Sequence, residues 1–179
     1  MTEEFHETDH WKLLATAKRY LSGADVLRRS EDYQTSRVLF TPVLHLTAHG
    51  MEVLLKANLV GAGLTLDDLR KKYGHNIGSL WAHDLNRLLR DKAGSVARKI
   101  WQQAQSAGQW KDQFEEDPAA LLEEYIAAIN ALHTAATDYA LRYVAASEMI
   151  APRPHLLIET FLQISDLCIR QPRSLVPSN

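Results

Sequence analysis

Cysteine is nearly absent from this 179-residue chain, with Cys168 standing alone. One thiol excludes an intrachain disulfide and any multi-cysteine zinc or iron–sulfur centre, and it suits a reducing compartment. No apolar run approaches the ~18 residues of a membrane span. The opening MTEEFHETDHWKLL lacks the basic start and apolar stretch of a secretory signal. A cytoplasmic protein without membrane association is expected. Strand signals are missing too: Val, Ile and Thr do not alternate with polar residues, and no Asn-Gly or Asp-Gly turn occurs. The net charge of −2 gives no bulk attraction to nucleic acid, and no DNA-specific motif is present. No glycine-rich phosphate loop and no nucleophile elbow appear, so no cofactor is expected.

Apolar residues instead recur at intervals of three and four. A first helix is expected from about Thr8 to Arg29, with Trp11, Leu14, Lys18 and Leu21 on its stripe. Ser30 to Ser36 reads as a polar connection. A second helix starts near Thr41-Pro42, or earlier with a kink at Pro42, and stops at Gly61-Ala62-Gly63. Thr65-Leu66-Asp67-Asp68 resembles a capping box that opens a short helix. Asn76 or Ser79 starts the next helix, to about Asp91, and Ala93–Ala107 is a further segment. Asp117-Pro118 is the best helix start in the chain. From it a stripe of Leu122, Ile126, Ile129, Leu132 or His133, Ala136 and Tyr139 runs for nearly thirty residues, until Pro152 and Pro154. A last helix covers about His155 to Arg170. The expected fold is all-α, an antiparallel up-and-down bundle of four to five main helices with one long central helix. Residues 1–170 form a single domain, and 171–179 a flexible tail.

The stretch LHLTAHGMEVLLKANLV carries His45, His49 and Glu52. On a helix they fall at about 0°, 40° and −20° around the axis and share one face. Two imidazoles and a carboxylate are zinc or iron ligands in type. Yet seven residues span about 10 Å of rise, too far to converge easily on bonds of about 2 Å. The alternative is that His49 and Glu52 are polar positions near the bundle interior, with Glu52 paired to Lys56 at i,i+4.

Helix two therefore reads His49-Gly-Met-Glu52-Val-Leu-Leu-Lys56-Ala-Asn-Leu59, followed after a glycine loop by Tyr73-Gly74-His75-Asn76-Ile77-x-x-Leu80. In order and spacing these pieces resemble the HEPN superfamily of small helical bundles, over about residues 8 to 150. The stretch LRYVAASEMIAPRP is similar to an "RYP" segment of some members, without the proline directly after the tyrosine. The resemblance implies a homodimeric bundle, and many members sit in toxin–antitoxin, defence or RNA-processing systems. Active members resemble metal-independent endoribonucleases with a late Arg-x4-6-His motif. Here Arg142 has no such histidine after it. Arg70 and His75 do have the spacing, but before helix three.

The expected role is thus a dimeric binding or regulatory protein for a partner protein, RNA or nucleotide, with His45, His49, Glu52, Lys56 and His75 as binding candidates. The alternatives are an endoribonuclease using His75 with Arg70 or Arg142, and a metal-dependent hydrolase using His45, His49 and Glu52. Residues 67–99 hold eight basic side chains against four acidic ones, which reads as an RNA-facing patch or an ordinary solvated helix face. Cys168, among apolar neighbours, reads as buried and unreactive.

Overall fold

The three-and-four recurrence folds as helices, and no strand occurs among the described residues. The computed structural model describes residues 6–36, 38–109, 117–134, 139–141 and 151–177. The helices are α1 (Asp9–Arg28), α2 (Glu31–Ser36), α3 (Phe40–Gly61), α4 (Leu66–Tyr73), α5 (Ile77–Ala82), α6 (Arg87–Ser106), α7 (Pro118–His133) and α8 (Pro154–Arg170). Thr8, Thr65 and Asn76 cap α1, α4 and α5 by accepting from Trp11 N, Asp68 N and Ser79 N.

The helix pairs run antiparallel, as their contacts demonstrate. Along α1 and α3, His10 meets Ala57, Leu21 meets Gly50, and Gly23 meets Leu46. A Cβ on Gly50 would stand 2.8 Å from Leu21 Cγ, so glycine sets this close approach. Along α1 and α8, Lys18 pairs with Asp166 and Arg28 with Glu159. Along α6 and α7, Gly94 meets Ala119 and Arg98 meets Asp117. Antiparallel pairing of this kind is how a helical bundle buries its stripes.

The central helix is α3, not the helix expected after Asp117. Residues from Val43 to Leu59 are buried on nearly every face, as befits a helix surrounded by others. The expected thirty-residue run stops at His133 because Thr134 is extended. Thr134 O then accepts from Tyr139 N, and Leu132 O from Leu141 N. The apolar pattern continues through buried Ala140 and Leu141 without the helix. The expected positions Ala136 and Arg142 lie outside the described residues.

Three other boundaries differ from the sequence reading. Ser30 Oγ accepts from Tyr33 N, and the polar connection becomes helix α2. The expected helix to Asp91 breaks at His83, which is extended and accepts from Leu85 N; α6 then runs unbroken from Arg87. Of the tail expected to be flexible, the described residues 171–177 pack instead. Leu175 is buried in the core, and Pro172 O bonds His10. His10 is itself buried, its two ring nitrogens facing the carbonyls of Ala57 (2.7 Å) and Pro172 (3.0 Å).

Candidate functional site

Because α3 is buried on nearly every face, its most enclosed polar residues must find partners inside. Glu52 is the extreme case, 2% exposed in the middle of the apolar run. Lys56, one turn on, donates to Glu52 Oε1 at 2.6 Å. Its second bond, also 2.6 Å, goes to Gly74 O and ties α3 to the loop after α4. Gly74 closes that helix at φ 50° and ψ −115°, a conformation that side chains oppose. This turn delivers His75, whose Nδ1 donates to both Glu52 oxygens at 3.2 Å. From the far side, the last residue of α7 supplies His133 Nε2 at 2.9 Å from Oε2. His49 Nδ1 stands 3.7 Å from the same oxygen.

One carboxylate thus faces three imidazoles and an ammonium. Burial alone would push its pKa up. The donors His133, His49 and Lys56 outweigh burial and hold the carboxyl well below the usual carboxylate range. Glu52 is therefore a fixed anion.

The rings around it form a continuous group. His133 lies 5.9 Å from His75, 6.0 Å from His45 and 6.5 Å from His49, centroid to centroid. His45 and His49 are nearly parallel, 6.4 Å apart. Tyr20 meets His49 edge-on at 4.4 Å, and Tyr139, left-handed at φ 54°, stands 6.3 Å from His75. Exposure is graded: the His75 side chain is 42% exposed, His49 28%, Lys56 15% and His133 0%. The cluster therefore has an open edge at His75 and a closed floor at His133. Among the described residues, His133 Nδ1 is buried with no hydrogen-bond partner.

A ring that gives one N–H to a fixed carboxylate presents a defined second nitrogen as a base; the nitrogen facing the carboxylate is a metal ligand only when an ion takes the place of its proton. His49, Glu52 and His133 each place a ligand atom within 4.8 Å of the others. The sequence-derived set of His45, His49 and Glu52 differs from this one by a single residue, with His133 standing in place of His45. His133 had seemed part of an apolar stripe. The signal for it was a lone polar ring at a core-facing position, which requires a buried partner.

Arg70 is exposed in the last turn of α4, and none of the cluster's bonds comes from it. Arg142 lies outside the described residues. The basic segment divides in two. Arg90 caps Trp81 O and His83 O, and Arg98 makes a two-bond pair with Asp117. Arg70, Lys71, Lys72, Arg87, Lys92 and Lys99 are exposed. Trp81 is core, 5% exposed, donating to Glu123 and edge-on to Phe161. Cys168 is buried, and burial pushes its thiol up to about 12. No helix of the described residues is long and apolar enough to cross a membrane. Compared with known proteins, the chain matches no family model, no curated protein and no solved structure.

Proposed function

We propose that this chain is a HEPN-like bundle acting in the cytoplasm as a dimeric binding and regulatory protein, with RNA or a nucleotide as its ligand. One observation carries the reading. Glu52, Lys56, Gly74 and His75, the positions of the HEPN-like sequence pattern, are bonded to one another at a single place. The half-open His75 edge of that place follows the exposed basic end of α4, with Arg70, Lys71 and Lys72. Beside α4 lies a cavity of about 440 Å³ lined by Leu64, Asp68, Lys71, Lys72, Tyr73 and His83, with two cations against one acid. Cations and imidazole donors around a concave surface are the chemistry that holds phosphate.

Fluorescence anisotropy with labelled single-stranded RNA tests this. Binding that weakens with salt, and is lost in Lys71→Glu/Lys72→Glu, supports the reading. Equal binding by that double variant sinks it, and a monomer by light scattering removes the dimer.

The second reading is an endoribonuclease of toxin–antitoxin or defence type. It is favoured by the His75–Glu52 contact, which fixes one ring nitrogen and frees the other as a general base. Cleavage of RNA that survives His75→Ala would exclude His75 as that base.

A further inference from the structure

We propose that His49, Glu52 and His133 form a binding site for a divalent cation of the zinc class, with an anion as its fourth ligand. The proposal goes beyond the RNA reading and does not depend on it. Four points of geometry and charge support it.

The first is spacing. Ligand atoms about 2.1 Å from a tetrahedral zinc lie about 3.4 Å apart. Here the His133 Nε2–Glu52 Oε2 edge is 2.9 Å and the His49 Nδ1–Glu52 Oε2 edge is 3.7 Å, values on either side of that figure. The whole triangle closes within 4.8 Å.

The second is origin. Three ligands on one helix are strung out along its axis, which is why His45, His49 and Glu52 make a poor set. His133 comes from the end of α7 and approaches across the bundle. Bundle metal sites draw their ligands from facing helices in this way.

The third is the division of the carboxylate. Lys56 occupies Oε1, the half-open His75 ring shares both oxygens from the outer edge, and Oε2 alone faces His133 and His49. A monodentate carboxylate with two imidazoles is a three-ligand set, which leaves a position open on zinc.

The fourth is charge. Lys56 already balances Glu52, so a bound dication keeps its full +2 within a buried cluster. The neutral imidazoles cannot offset it. The open position therefore favours an anion, hydroxide or phosphate, reached from the His75 edge. The same balance makes Lys56 a competitor of the metal. Removing its charge should strengthen metal binding, whereas a substitution that merely damages the fold would weaken it.

The test uses the full chain, freed of metal by a chelator, titrated with zinc by calorimetry and with cobalt by visible absorption. One equivalent per chain with the strong visible bands of tetrahedral cobalt is expected, and phosphate should alter those bands. His49→Asn and His133→Asn should each weaken binding by at least about tenfold, whereas His45→Asn should leave it within about twofold. Lys56→Met should tighten it. His49→Asn is the safer of the two ligand variants, since His49 is partly exposed. Absence of cobalt bands, binding indifferent to His49→Asn, or equal loss in His45→Asn overturns the site. RNA anisotropy on the same metal-free protein reports on the other reading separately, so failure of either leaves the other standing.

Discussion

Two buried polar groups lie six residues apart on α3, and they are built on opposite principles. Asn58 donates to Leu85 O and to Asn86 Oδ1, while Asn86 donates to Leu80 O and Leu55 O. Both side chains are almost fully enclosed and neutral, and all four of their amide N–H groups are placed. Such a junction fixes one arrangement of α3 against the turn before α6 and has no capacity left over. Around Glu52 the charges do not match. One carboxylate faces four donors of positive or potentially positive charge, and the floor of the cluster keeps an unpartnered nitrogen. A saturated polar network specifies structure. An oversupplied one has chemistry to spare.

The largest effect that would break this contrast is expected from Glu52→Gln. It removes the charge that holds Lys56 and His133, and should cost about 3–5 kcal/mol in a denaturant titration. A loss below about 1 kcal/mol would mean the cluster does not depend on the charge.

Acid should separate the two groups next. The folded Glu52 carboxyl is depressed, so the unfolded chain binds its proton first as pH falls. Stability from Glu52 is present above the usual carboxylate range and lost below it. Glu52→Gln should flatten that acid limb, and Asn86→Ala should leave its slope unchanged. A separate window lies higher. Burial, with Arg28 and Arg153 nearby, lowers His155 from 6.5 to about 4. The unfolded chain therefore takes up that proton first, and stability should fall between those values by at most about 3 kcal/mol. His155→Gln should remove this window and leave the lower one; melting temperatures measured across pH give both.

Asn86→Ala comes third. It strands Leu80 O and one bond of Asn58, at about 2 kcal/mol, with no change in zinc or RNA binding. His75→Ala is the smallest. Its ring is half open, so a loss of up to about 1 kcal/mol is expected, with its effect falling on ligand binding instead.

How much of this was legible in the sequence divides along the same line. Glu52 and Lys56 are legible as a pair, because i,i+4 spacing on a helix is a local rule. The caps Thr65 and Asn76 are local too. His133 was hidden, since its role depends on a partner 81 positions away and its own helix shows only a stripe position. The break at His83 and the end of α7 at His133 were hidden for a related reason. Both are set by bonds to neighbouring turns, while hydrophobic periodicity continues past them. The centrality of α3 follows from burial on every face, and that emerges only after the other helices are docked.

His10 gives the molecule one more property. Its bond to Pro172 joins positions 162 residues apart and brings the two ends of the described chain to one spot. In effect the polypeptide is a loop with a clasp, and His10 is the part of the clasp that bridges two carbonyls, beside the Lys18–Asp166 and Arg28–Glu159 pairs. Global unfolding is then the opening of that loop. Donor and acceptor dyes on exposed Glu7 and Arg173 would transfer energy strongly in the native protein and lose that signal as the clasp parts.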